Sequence, residues 1–297
     1  MKNCLKISLL TNTLRLTPNA FLLFAFFSSC SLIQPPTTIP SYIRVQRCTV
    51  KDSATHDTVS SNITDIWVDD NLDYRGIYQV PISVPILQTG PTTISLQAVV
   101  EEDGISSNLL PYPFYYTYTV KNVNLQPGKL DTINPVFYYN SAITKFQWIE
   151  SFDGTNTLET TSENTANVHV TEVKDSVFQG IGSYEVDMTA GQTFYAASKS
   201  PTFIPPASDI VWLEMNYRTD VPMDVGVNFI DPTGANPLQP EFISGVNPTT
   251  KWKKVYIDIG PELQFFNQYQ SFQIYFQANA SGNAHIFIDN LKLLYLE

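Results

Sequence analysis

Val211-Trp212-Leu213-Glu214-Met215-Asn216 alternates, residue by residue, between a purely apolar side chain and one that is polar or aromatic. Successive side chains of an extended strand point to opposite faces of its sheet, so Leu213 and Met215 enter a core while Trp212, Glu214 and Asn216 share the other face. The same period of two runs through Ile94 to Val100, Tyr115 to Val120, Val225 to Phe229, Val255 to Ile259, Phe272 to Phe276 and Ile286 to Leu293. No stretch holds a helical stripe for three turns. Asp-Asn, Pro-Gly, Asp-Gly and Asn-Pro turn signals separate the strands, often at the spacing of about 8 to 12 residues that sandwiches use. The fold class expected is all-β, built from β-sandwiches.

Alternation also places Asn228 opposite Val227 and Phe229, and Gln273, Tyr275 and Gln277 opposite Phe272, Ile274 and Phe276. With Trp212, Glu214 and Asn216 these make a candidate polar-aromatic face. Aromatic faces that stack on a sugar ring, flanked by amides and carboxylates that hydrogen-bond its hydroxyls, are what a glycan site requires. The other reading is a face covered by a loop, by the rest of the chain or by another protein, since aromatic residues also mark protein interfaces.

At the amino terminus Lys2, Lys6 and Arg15 precede the apolar run Ala20 to Phe27, followed by Ser28-Ser29-Cys30. The run is far short of the roughly 20 residues that span a bilayer as a helix, so residues 1–29 read as a signal peptide. Phe27-Ser28-Ser29-Cys30 resembles a lipobox, which implies that Cys30 is diacylated and anchors the chain to a membrane. Residues 30–40, rich in Pro and Thr, read as a tether. Many Bacteroidota surface lipoproteins, which the layout resembles, carry acidic residues after the lipidated cysteine; Ser31-Leu32-Ile33-Gln34 has none. The resemblance implies an outer-membrane lipoprotein, facing either the cell surface or the periplasm. With Cys4 in the signal segment and Cys30 lipidated, Cys48 has no disulfide partner and reads as an inert thiol in a β-prone stretch.

About 270 residues remain beyond the anchor, enough for two domains. Residues 41–140 form the first and 141–297 the second, with the break before Phe146. In the first, Asp65-Ile66-Trp67-Val68-Asp69-Asp70-Asn71 and Thr92 to Ala98 resemble immunoglobulin-like or PEGA-like modules, although Asn71 stands where those modules favour Gly. That resemblance implies a spacer or docking module. In the second, Phe152-Asp153-Gly154, Trp252 to Ile259 and Ile286-Phe287-Ile288-Asp289-Asn290-Leu291 resemble, in order and spacing, the jelly roll of carbohydrate-binding modules and galactose-binding-like domains. The resemblance implies glycan binding and a structural calcium ion held by Glu150 or Asp153 with Asp289. The alternative is that Asp153 makes the turn and Asp289 faces water.

The net charge of -11 excludes nucleic acid as a partner, because such partners demand a basic surface. His56, His169 and His285 are far apart in sequence, and no His-Glu-x-x-His, Gly-x-Ser-x-Gly or phosphate-loop motif occurs. The acidic pairs Asp69-Asp70 and Glu101-Glu102-Asp103 read as solvated turns. A non-catalytic protein is expected. Two partners fit it: a glycan on the face containing Trp212, or an outer-membrane barrel complex contacted through the first domain and the segment Tyr112 to Tyr118. An open groove at Trp212 favours the glycan; an exposed aromatic patch on Pro111 to Tyr118 favours the protein.

Overall fold

The computed structural model describes residues 38–51, 59–199, 203–231, 233 and 238–297. The first strands are β1 (Ser41–Val45), β2 (Thr49–Val50), β3 (Asp65–Asp70), β4 (Asp73–Gln79) and β5 (Ile82–Ile86). They are followed by β6 (Gly90–Glu101), β7 (Leu109–Pro111), β8 (Tyr118–Leu125), β9 (Leu130–Thr132) and β10 (Val136–Phe137). Beyond residue 140 come β11 (Thr144–Glu150), β12 (Leu158–Thr160), β13 (Asn167–Thr171), β14 (Ser183–Met188), β15 (Thr193–Ser198) and β16 (Val211–Thr219). The chain ends in β17 (Met223–Ile230), β18 (Gln239–Val246), β19 (Thr249–Asp258), the helix α1 (Gly260–Phe265), β20 (Ser271–Asn279) and β21 (Ala284–Leu296). Helix α1 is shorter than two turns, so the all-β reading holds.

In the first half, a sheet ordered β4-β3-β6-β7, with β8 also on β6, faces a sheet ordered β5-β1-β9. Ile43 and Val45 of β1 pack against Ile66 and Val68 of β3 and Ile94 and Leu96 of β6, all fully buried. The β3–β4 turn uses Asn71 and Leu72, both left-handed at φ 46° and 73°. That geometry matches the twist of the flanking strands, which is why such turns favour Asn and Gly. Two sequence expectations fail here. Asp70 is not solvated but fully buried, and Arg75 donates to both its oxygens at 2.6 Å. The strand expected from Tyr115 begins only at Tyr118, because Tyr112, Phe114 and Tyr115 turn their rings into a buried cluster instead.

The second half is a jelly-roll sandwich. One sheet runs β13-β14-β21-β16-β19 with β11 also on β21; the other runs β12-β15-β20-β17-β18. Leu213, Met215, Val227, Phe229, Phe272, Ile274, Phe276, Ile286 and Ile288 meet between them, which is the inward half of each alternating strand. Among the described residues, strands before residue 140 pair with one another, strands after it do likewise, and one isolated bridge, Glu102 with Tyr256, joins the two sets. Pro40–Glu297 nevertheless form one compact unit, because a third cluster lies between the halves: Ala98, Val100, Tyr112, Phe114, Tyr115, Phe137 and Tyr139 against Trp212, Tyr256 and Leu294.

Candidate functional site

Leu213 and Met215 lie in the sandwich core while Trp212 lies in the inter-half cluster, as the alternation of β16 requires. The face they leave is covered. Trp212, Glu214 and Asn216 are 3%, 0% and 2% exposed. The Trp212 ring meets Tyr112 edge-on at 5.5 Å and Phe114 at 6.4 Å. Ser60 donates to Asn216 Oδ1 at 2.7 Å, and the Asn62 amide donates to the Tyr256 hydroxyl at 3.0 Å. Reading these three residues as an open glycan surface is therefore corrected: the chain's own first half occupies it. The patch Pro111 to Tyr118 is corrected by the same contacts. Tyr112, Phe114 and Tyr115 are buried there, and of its tyrosines Tyr116 is the one classed as a large exposed side chain.

Glu214 is the electrostatic centre of this joint. Tyr112 donates to its Oε1, Tyr139 lies 2.9 Å from both oxygens, and Lys254 Nζ lies 2.5 Å from Oε2 while also donating to the Ser60 carbonyl at 2.8 Å. Burial opposes the charge on Glu214, but the Lys254 and Lys292 ammonium groups outweigh it and hold the carboxyl below its ordinary range. Burial, with Glu214 adding its negative charge, pushes the Tyr112 and Tyr139 phenols well up. A carboxylate, a lysine and two tyrosines would make an acid–base constellation if a substrate could reach them. Every member is buried, and the cluster acts as a polar latch between hydrophobic surfaces.

Asn228, Gln273, Tyr275 and Gln277 lie elsewhere. They belong to β17 and β20, in the other sheet, and point away from the core that the two sheets share. The single face expected from the sequence is thus two faces on opposite sides of the sandwich. On the second, Tyr275 stacks on Tyr195 of β15 with ring centroids 5.3 Å apart and planes 11° apart. The Tyr195 hydroxyl donates to Asn228 Oδ1 at 2.9 Å, and Gln273 donates to the Ser198 carbonyl at 2.7 Å. Gly226 faces Tyr275 across the β17–β20 pair, and a Cβ there would collide with the tyrosine ring. Burial pushes the Tyr275 phenol up to about 12, with Tyr195, Asp224 and Glu241 adding to it. Tyr195 and Tyr275 are 9% and 5% exposed; Gln273, Gln277 and Glu241 are half-buried and Asp224 is exposed around them. Tyr195 escaped the sequence reading, although Phe194 and Ala196 inward with Tyr195 and Ala197 outward is the same alternation.

Glu150, Asp153 and Asp289, expected to hold a calcium ion, surround one loop region. That ion takes about six to eight oxygen ligands. Glu150 already accepts from the Phe152 and Thr157 amides and from the Thr155 and Thr157 hydroxyls. Asp153 accepts from the Ile181 and Gly182 amides. Asp289 accepts from the Ser183 hydroxyl at 2.7 Å and the Asn290 amide at 2.7 Å. These carboxylates pin turns, and their ligand atoms do not converge as a set of three. Asp289 is fully buried rather than facing water, and burial raises its carboxyl to about 7 despite those bonds.

Cys48 is partly buried, and burial raises its thiol to about 12, which removes it as a nucleophile at neutral pH. Cys30, the signal segment and His56 lie outside the described residues. His169 and His285, distant in sequence, both contact Asp187 on the outer face of β13-β14-β21. Among the described residues no helix is long and apolar enough to cross a membrane.

No protein-family model matches this chain, and no curated protein does. Among solved structures it is similar to the first xylan-binding CBM22 domain of Xyn10C from Paenibacillus barcinonensis, at 15% identity, over 51% of this chain and 94% of that one, with a TM-score of 0.36. It is similar to the second CBM22 domain of the same protein at 11% identity, over 51% and 99%, with a TM-score of 0.38. The family 11 carbohydrate-binding module from Clostridium thermocellum, in complex with a mixed-linked tetrasaccharide, matches at 15% identity, over 51% and 95%, with a TM-score of 0.36.

Proposed function

We propose that this protein is a non-catalytic, lipid-anchored envelope protein that binds glycan on the outer face of the β12-β15-β20-β17-β18 sheet. The observation that carries this reading is the outward-facing Tyr195–Tyr275 stack, 9% and 5% exposed among the half-buried Gln273, Gln277 and Glu241 and the exposed Asp224, side chains that a ligand would displace to reach the rings. Neutral amides and carboxylates around apolar rings suit a ligand that has both C–H faces and hydroxyls. Cys30 supplies the anchor, holding the module at the outer membrane on either its surface or its periplasmic side. Affinity electrophoresis in gels cast with xylan, β-glucan or galactan tests the glycan reading. Retardation in at least one gel, abolished by Tyr275→Ala, supports it; equal migration in all three gels rejects it for these polysaccharides.

A second reading, an accessory subunit of an outer-membrane barrel complex, is favoured by Leu72, Tyr74 and Leu87. These are 90%, 53% and 61% exposed, Leu72 on the β3–β4 turn, Tyr74 at the start of β4 and Leu87 after β5, where the Asn71–Gln88 hydrogen bond at 2.8 Å ties the two connections together. Recovery of a stoichiometric barrel protein with the tagged full-length chain, lost in Leu72→Asp, selects this reading.

A further inference from the structure

We infer that His169, Glu185, Asp187 and His285 form a binding site for a late first-row divalent cation of the zinc class, on the outer face of β13-β14-β21. The register makes the site. His169 lies directly opposite Glu185 across the β13–β14 pair, and His285 directly opposite Asp187 across the β14–β21 pair. Tyr184, Val186, Met188, Ala284 and Ile286 fill the core, so the intervening Glu185, Asp187 and His285 all project outward. Directly opposed residues of neighbouring antiparallel strands have Cβ atoms only about 4.5–5.5 Å apart, on a backbone that cannot spread.

The distances already approach those of a coordination sphere. His285 Nδ1 is 3.0 Å from Asp187 Oδ1, His169 Nε2 is 3.5 Å from Glu185 Oε2, and His169 Nδ1 is 3.8 Å from Asp187 Oδ2. Ligands about 2.0–2.1 Å from a tetrahedral zinc ion are about 3.3 Å from one another. Among the described residues, Glu185, Asp187 and His285 are the one group of three metal-ligating side chains whose ligand atoms all lie within 4.8 Å of one another. His169, on the far side of β14 from His285, lies outside that group: its Nε2 faces Glu185 and its Nδ1 faces Asp187, so its ring must turn for one nitrogen to join the other three ligands.

Donor chemistry selects the ion. Two imidazoles with two carboxylates suit zinc and its neighbours, whereas calcium and magnesium prefer oxygen alone. Two carboxylates also neutralise a dication. His169, Asp187 and His285 side chains are 45%, 37% and 53% exposed, so the ion has an open approach, while Glu185 at 14% is held more firmly. Asn167 donates to Asp187 Oδ2 at 3.1 Å, which restrains that carboxylate from behind. The nearby Arg218 guanidinium is drawn aside: it lies 4.2 Å over the Phe287 ring and donates to the Asp175 carbonyl at 3.0 Å. The site is independent of the glycan reading, since it lies on the other sheet.

Isothermal titration of the full chain with Zn²⁺ tests the site. One ion per chain is expected, with His169→Ala/His285→Ala binding at least about tenfold more weakly, His56→Ala binding like the wild type, and excess Ca²⁺ failing to compete. Zn²⁺ should also protect His169 and His285 of the wild-type chain from diethylpyrocarbonate, a readout that needs no variant to fold. Absence of binding, unchanged affinity in the double variant, or equal modification of both histidines with and without Zn²⁺ would overturn the proposal.

Discussion

The Tyr112 hydroxyl donates a hydrogen bond to the Glu214 carboxylate across the joint between the two sandwiches. Those residues come from the two segments that, in sequence, read as competing surfaces for outside partners. Each is the other's partner.

Removing the charge at the centre of the joint should be costly. Glu214→Gln leaves the Lys254 ammonium, 2% exposed, without its carboxylate. Breaking a buried pair from one side costs about 3–5 kcal/mol, so the urea midpoint at pH 7 should fall sharply. Because the folded Glu214 carboxyl sits below its ordinary value, its stabilisation is present above the unfolded value and is lost as pH falls through the folded one. The gap between wild type and variant should therefore narrow as pH drops below about 4.

Asp289 should behave in the opposite sense. Its folded value of about 7 lies above the ordinary 3.8, so the folded state keeps a proton that the unfolded state releases. Stability contributed by that proton is complete below the unfolded value and disappears as pH rises through about 7. Asp289→Asn, which cannot ionise, should be more stable than the wild type at pH 8 by on the order of 2 kcal/mol, and the difference should vanish near pH 4. Thermal melts at both pH values read this directly.

The β3–β4 turn offers a stabilising change. Leu72 is left-handed and 90% exposed, so its side chain has strain without compensating burial. Left-handed backbone costs a non-glycine residue roughly 1–2 kcal/mol, part of which glycine's freer unfolded chain returns. Leu72→Gly should raise stability by about 0.5–1 kcal/mol in urea denaturation.

Much of the fold was legible because a strand declares its two faces locally. Leu213 against Trp212, and Val227 against Asn228, could be sorted without a partner strand. What covers a face is not local. Nothing near Trp212 in sequence names Tyr112, one hundred residues earlier, and nothing near Asn228 shows that β17 belongs to a different sheet from β16. The histidines could not be placed for the same reason: His169 and His285 both reach Asp187 only through the register of β14 between them. The partners of Glu150 and Asp153 were hidden as well, since both accept from amides of turns whose shape the sequence does not disclose.

The most direct test of the internal joint is a double-mutant cycle on Tyr112→Phe and Glu214→Gln, measured by urea denaturation of the full chain. Groups joined by a buried hydrogen bond should show a coupling energy of at least about 1 kcal/mol, with the double variant less destabilised than the sum of the singles. Additivity within about 0.3–0.5 kcal/mol would mean that Tyr112 and Glu214 do not meet in solution, and would return the Trp212 face to the list of open binding surfaces.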